Sequence, residues 1–179
     1  MPEMEPIFEI GFVSFDDADV AVRVLDGLRA RRAGHLVNEV AALEHHRSGR
    51  FSVHSYAAGP TVGEHMAVGA AVGGLVGMLI GPFGVVLGAA GGTAVGASFG
   101  GRHPREIGLD DEFIATLKAS LPPGTSAVVV MGEPETVDQL VHEISSSDVV
   151  TRDEFRHPLT EEQSRTIRES LEHHRKRGA

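Results

Sequence analysis

The sequence predicts an α+β protein: a ferredoxin-like split-βαβ sandwich with an inserted glycine-zipper α-helical hairpin and a C-terminal helix. Three observations carry this. Strand-like and helix-like segments follow in the order β-α-β-β, insert, short α, β-α-β; a Gly-rich stretch interrupts them; and a charged segment with a capping signal ends the chain. The α+β domain is thus expected over residues 7–57 and 106–156, the inserted hairpin over 61–101 and a helical tail over 157–179.

Each element has its own warrant. In "IFEIGFV" (7–13), Phe8, Ile10 and Phe12 fall on one side of an extended chain and Ile7 and Val13 on the other, as in a strand. "FDDADVAVRVLDGLRARRAG" follows, with Asp16, Asp17 and Asp19 in its opening turn, Arg29, Arg31 and Arg32 in its last and Gly34 beyond. Acid first, base last and Gly at the end complement a helix dipole and stop the helix. Its apolar face is Ala21, Val24, Leu25 and Leu28. "LVNEVAAL" (36–43) and "FSVHSYA" (51–57) flank a turn at Ser48-Gly49, which predicts a β-hairpin whose second strand widens the sheet.

Beyond the Gly-rich stretch, "LDDEFIATLKASLPPG" offers Asp110 or Asp111 as cap and Phe113, Leu117 and Leu121 at four-residue steps, ending in Pro-Pro-Gly: a short helix. The unbroken Val run of "TSAVVVMG" (125–132) reads as a buried strand. Pro134 opens another helix with Val137, Leu140, Val141 and Ile144 on one face, and "DVVTRDEF" (148–155) reads as the last strand. All helices of the domain are expected on one face of the sheet. In the tail, Thr160 and Gln163 form a capping box, with Ile167 and Leu171 as a thin apolar stripe.

The Gly-rich stretch is the least ordinary part of the chain. Between Glu64 and Arg102 there is no Asp, Glu, Lys or Arg, and His65 is the sole ionisable side chain. The glycines keep a four-residue register in two runs, Gly69, Gly73, Gly77, Gly81 and Gly84, Gly88, Gly92, Gly96, Gly100, separated at Pro82. On a helix that spacing makes a groove without side chains along one face, so two backbones can approach closely. Pro82 cannot continue a helix interior. Two antiparallel helices, over 62–80 and 83–100, are therefore expected with a tight turn between them.

Each Gly disfavours an isolated helix by about 1 kcal/mol relative to Ala, so such helices need a dry packing surface. Three surroundings supply one: lipid, other copies of the same hairpin, or the chain's own domain. An arm of about 18 residues spans about 27 Å, a little short of a hydrocarbon core of about 30 Å. Arg102 and Arg105 just past the second arm would keep both ends on the cytoplasmic side.

The segments "FEIGFVSFDDADVAVRVLDGL", "IGLDDEFIATLKASLPPGTSAVVVMG" and "TVDQLVHEI", with the glycine-zipper insert between the first two, resemble a bacterial family of unknown function described as predicted membrane proteins. The likeness covers about residues 7–156 and is most specific over 109–131. A looser similarity links the insert to glycine-zipper general-stress proteins. The resemblance implies membrane association and brings no catalytic residue with it; the His- and Arg-bearing tail departs from it.

Composition narrows the function classes. A formal net charge of -9 argues against nucleic acid, which needs a basic face. The absence of Cys excludes thiolate chemistry and disulfides. The N-terminal "MPEMEPIFEIGF" lacks the basic and apolar regions of a signal peptide, so the expected location is the cytoplasm, at the inner face of the membrane where lipid is engaged.

Ten His residues invite a metal hypothesis, since Glu44-His45-His46 recurs as Glu172-His173-His174. Adjacent strand residues point to opposite faces, however, so His45 and His46 cannot share one ion. His54 and His65 flank the entrance to the Gly-rich stretch, where protonation would act on assembly. "GEPE" and "GLDDE" carry carboxylates at helix starts, where they cap N–H groups. No catalytic or cofactor fingerprint is present.

The expectation is a non-enzymatic protein without cofactor. Its glycine-zipper hairpin drives homo-oligomerisation and contact with membrane lipid, and the similarity to stress proteins points to a role in stress response. The alternative is a small-molecule or metal-binding sensor in which the hairpin is a soluble oligomerisation scaffold and His45 a ligand.

Overall fold

A computed structural model of the chain describes residues 8–31, 39–56 and 109–165. The elements run β1 (Glu9–Phe15), α1 (Val20–Arg31), β2 (Glu39–His45), β3 (Phe51–Tyr56), α2 (Asp111–Ala119), β4 (Thr125–Gly132), α3 (Pro134–Ser145) and β5 (Glu154–Pro158). The strands form one sheet in the order β3-β2-β4-β1-β5, with every neighbouring pair antiparallel. The protein is therefore a mixed α+β fold on a five-stranded antiparallel sheet. The expected hairpin over 61–101, all nine register glycines and Pro82 lie outside the described residues, as do His65, Ile167, Leu171, His173 and His174.

Pleating sends alternate residues to opposite faces. Val13 and Phe15 of β1, Val40 and Ala42 of β2, and Val128 and Val130 of β4 form one core with Val20, Ala21, Val24, Leu25 and Leu28 of α1 and Val137, Leu140, Val141 and Ile144 of α3. Both helical stripes read from the sequence are buried as expected. Gly11 belongs to this face because α3 crosses it closely: a Cβ there would come within 2.7 Å of Val141 Cγ2 and 2.9 Å of Val137 Cγ1.

The other face is also apolar. Ile10, Phe12, Ala41, Leu43, Val53, Ala127, Val129 and Met131 form a second core with Ile114 and Leu117 of α2, together with Leu121 and Leu159. This corrects the expectation that all helices share one face: α2 packs on the side opposite α1 and α3. The physical reason is in β4, where Ala127 through Met131 are apolar at both parities. A strand of that kind needs cover on both faces.

The boundaries show further departures. Asp16, Asp17 and Asp19 precede α1 instead of filling its first turn; the Asp17 carboxylate accepts from the Asp19 N–H at 2.9 Å. The orphan donor of the first turn is met from the sheet. Ser126 Oγ, fully buried in β4, accepts from the Ala21 N–H at 3.1 Å and donates to the Asp17 carbonyl at 2.5 Å. At α2, Asp110 is the cap, accepting from the Phe113 N–H at 2.6 Å. At α3, Glu133 makes no side-chain cap, and Pro134 opens the helix in its place.

The last strand begins at Glu154, six residues beyond the expected Asp148. Val150 is 85% exposed, so half of the apolar pair that suggested a strand faces water. The approach to β5 is instead tied to β1 through Ser14, whose N–H donates to the Asp153 carbonyl at 2.9 Å and whose carbonyl accepts from Arg152 N–H at 2.7 Å. Thr160 and Gln163 close the expected capping box: Gln163 N–H to Thr160 Oγ1 at 3.2 Å, and Thr160 N–H to Gln163 Oε1 at 2.8 Å. Residues 161–165 are helical.

Candidate functional site at the β2–β3 hairpin

Of the polar residues singled out in the first half of the chain, Glu44, His45, His46 and His54 lie on the β2–β3 hairpin. Its turn is closed by His46 N–H to the Arg50 carbonyl and Gly49 N–H to the His46 carbonyl, both at 2.8 Å, with Gly49 at φ +79. That is a type I turn followed by a left-handed residue, the three-residue hairpin loop in which Gly is favoured. Ser48-Gly49 is therefore the turn that the sequence indicates.

On the face shared with α1 and α3, Glu44 of β2 sits beside His54 of β3, with Oε2 to Nε2 at 3.2 Å and side-chain exposures of 12% and 19%. His46 Nε2 is 3.8 Å from the same carboxylate oxygen and 2.7 Å from Ser52 Oγ. A hydroxyl, an imidazole and a carboxylate are thus adjacent, which raises the question of a nucleophilic relay. The geometry answers it: the same His46 nitrogen meets both Ser52 and Glu44. A relay needs the carboxylate on the other ring nitrogen, so that one nitrogen takes the proton while the second is held. These groups satisfy one another as a polar patch at the sheet edge, and the Glu44–His54 contact becomes an ion pair whenever His54 is protonated.

On the opposite face, His45 has its Nδ1 2.7 Å from the Leu121 carbonyl, just past α2, and its ring stacks on Phe51 with centroids 3.9 Å apart and an interplanar angle of 16°. Its own carbonyl accepts from the Gly124 N–H at 2.6 Å. His45 thereby clamps the end of α2 and the Pro-Pro-Gly turn to the sheet. A cleft of about 260 Å³ opens beside it, lined by His45, Phe51, Lys118 and Leu121. His45 and His46 do point to opposite faces, as the strand argument requires. Among the described residues no group of three or more His, Asp or Glu is arranged to hold a metal ion.

At the far edge of the sheet, Arg156 of β5 bridges Glu9 at 2.9 Å and Asp138 at 2.7 Å. Donation to the Glu9 carboxylate holds its guanidinium above the ordinary arginine value, against the opposing pull of burial. His157 stacks on Phe113 of α2 with centroids 4.1 Å apart. Nothing in local periodicity announces these stacked His–Phe pairs, because each joins residues distant in sequence or separated by a turn.

The fold and the hairpin define a structural class: an antiparallel sheet covered on both faces, whose polar groups at β2 and β3 are mutually satisfied. The chain belongs to the family described as "Protein of unknown function (DUF1269)", whose model matches residues 66–172. The match takes in the glycine repeats, α2, β4, α3, β5 and most of the C-terminal stretch, and it leaves out β1, α1, β2 and β3. The family assigns no activity. No curated protein and no solved structure matches the chain. Among the described residues, no helix is long and apolar enough to cross a membrane.

Proposed function

We propose that this is a non-enzymatic, self-assembling protein in which a ferredoxin-like domain presents a glycine-zipper helical hairpin. Copies join by close backbone packing along Gly69, Gly73, Gly77 and Gly81 on one arm and Gly84, Gly88, Gly92, Gly96 and Gly100 on the other. The observation that carries the reading is the double run of period-four glycines in a stretch with no Asp, Glu, Lys or Arg between Glu64 and Arg102. A flexible linker has no reason to hold that register or to fill it with Val, Leu, Ile, Met and Phe.

Strand order supports the ferredoxin-like assignment of the domain. The β1-α1-β2 connection straddles β4, the β4-α3-β5 connection straddles β1, and both helices lie on the same face, with β3 as an added edge strand. In sequence the proposed hairpin falls between Tyr56, the last residue of β3, and Leu109, which packs on the core near α2. The apolar arms also suit lipid, so contact with the inner face of the cell membrane belongs to the proposal.

Replacing Gly73 and Gly88 together by Leu places two isobutyl groups in the groove and holds the helices apart. Light scattering should show the assembly of the double variant reduced to a smaller particle. An unchanged mass would remove the glycine zipper as the assembling element.

A further inference from the structure

The two edges of the sheet are treated differently. The outer strand β5, "EFRHP", carries exposed Glu154, exposed Arg156 and Pro158, which has no N–H to offer. Charges and proline are the usual means of stopping one sheet edge from pairing with another. The other outer strand, β3, "FSVHSY", has no Asp, Glu, Lys, Arg or Pro. Its one imidazole, His54, is turned to Glu44 within its own domain at 3.2 Å.

Turn geometry fixes which backbone groups of β3 face outward. The His46–Arg50 bond closes the hairpin, so along the register the pairs Glu44–Ser52, Ala42–His54 and Val40–Tyr56 exchange hydrogen bonds. The alternating pairs His45–Phe51, Leu43–Val53 and Ala41–Ser55 do not. The N–H and C=O groups of Phe51, Val53 and Ser55 therefore point away from β2. Among the described residues β2 is the sheet neighbour of β3, and no further strand meets these groups.

We propose that the β3 edge is the pairing surface for a second copy of this chain. The copies lie antiparallel about a two-fold axis through Val53, so that their five-stranded sheets become continuous. The register follows from the outward groups. With Val53 opposite Val53 of the second copy, Phe51 falls opposite its Ser55, and all three outward-facing positions meet their like. A shift of two residues either way strands one of them. This register makes about six backbone hydrogen bonds. It also keeps each face in phase: the core containing Val53, with half-buried Phe51 packed against it, meets its own counterpart across the axis, and no two charged side chains are opposed along the strand. None of the repeat glycines lies in β3, and the two surfaces can act in one assembly.

Ser55→Pro removes an outward N–H without touching the β2–β3 ladder, so the monomer fold should persist by far-UV circular dichroism. In sedimentation of the full chain, this variant should raise the dissociation constant of the β3-paired dimer by about tenfold or more, since two of the shared hydrogen bonds are lost. A second variant reports the register. The natural chain has no Cys, and Val53→Cys should give a disulfide-linked dimer on oxidation, because hydrogen-bonded partners sit about 5.5 Å apart at Cα, within disulfide range. Glu154→Cys on the other edge should not.

The outcomes separate the two interfaces. If Gly73→Leu/Gly88→Leu leaves a dimer that Ser55→Pro dissociates, the edge stands and the zipper falls. The reverse pattern overturns the edge proposal. It is equally overturned by a monomeric native chain that yields no Val53→Cys dimer, which would mean that the chain's own residues cover β3.

Discussion

Under α1 and α3 the sheet is covered by two twelve-residue helices whose buried side chains are Val, Ala, Leu and Ile. Under α2 the cover is a nine-residue helix, and the filler includes Phe8, Phe12, Phe51, Phe113 and Phe155 around the aliphatic residues. The first face is closed by packing that is aliphatic but for Phe15, tight enough at Gly11 that a methyl group would displace Val137 and Val141. The second is held as much by polar and ring contacts, with His45 on the Leu121 carbonyl and His157 against Phe113. The two faces thus differ in how their cover is held, by long aliphatic helices on one and by a short helix with ring and polar contacts on the other. Leu109, just before α2, packs on this second face. If the proposed hairpin assembles, strain passed on through Leu109 would reach the less enclosed face first.

The comparison can be broken by removing one buried leucine from each face. Leu140→Ala, under α3, should destabilise by about 3–5 kcal/mol in urea unfolding, because its neighbours are fixed by two long helices and cannot close the cavity. Leu117→Ala, under α2, should cost about 2–3 kcal/mol, with α2 amides losing exchange protection before the sheet does. Equal losses, or protection lost first in α3, would contradict the asymmetry. Next in size, Gly11→Ala should destabilise by about 1–3 kcal/mol, since Val137 and Val141 must move to admit the methyl group. Smallest of the set, Asp110→Ala should cost about 1 kcal/mol by freeing the Phe113 N–H, and thermal unfolding would show it as a lower midpoint.

Much of this architecture is legible from local pattern. The stripes of α1 and α3, the Val run of β4, the Ser48-Gly49 turn and the Thr160–Gln163 box all depend on residues a few positions apart, and each is where the sequence places it. What escaped depends on distant partners. Two-sided apolarity in β4 signals cover on both faces, but not that α2 supplies the second. Ser126 capping α1 from another strand joins residues 105 apart. Val149 and Val150 mimic a strand because an apolar pair carries no information about which of its members faces water. At the hairpin, the opposed directions of His45 and His46 follow from pleating alone, whereas the clamp on Leu121 does not.

The central claim is that the chain works as an assembly. It is tested most directly by fractionating the native protein with and without detergent and then measuring particle mass. The account predicts a particle whose protein mass is a multiple of 19.0 kDa, in whichever fraction it is recovered. A single 19.0 kDa species in both conditions would contradict it.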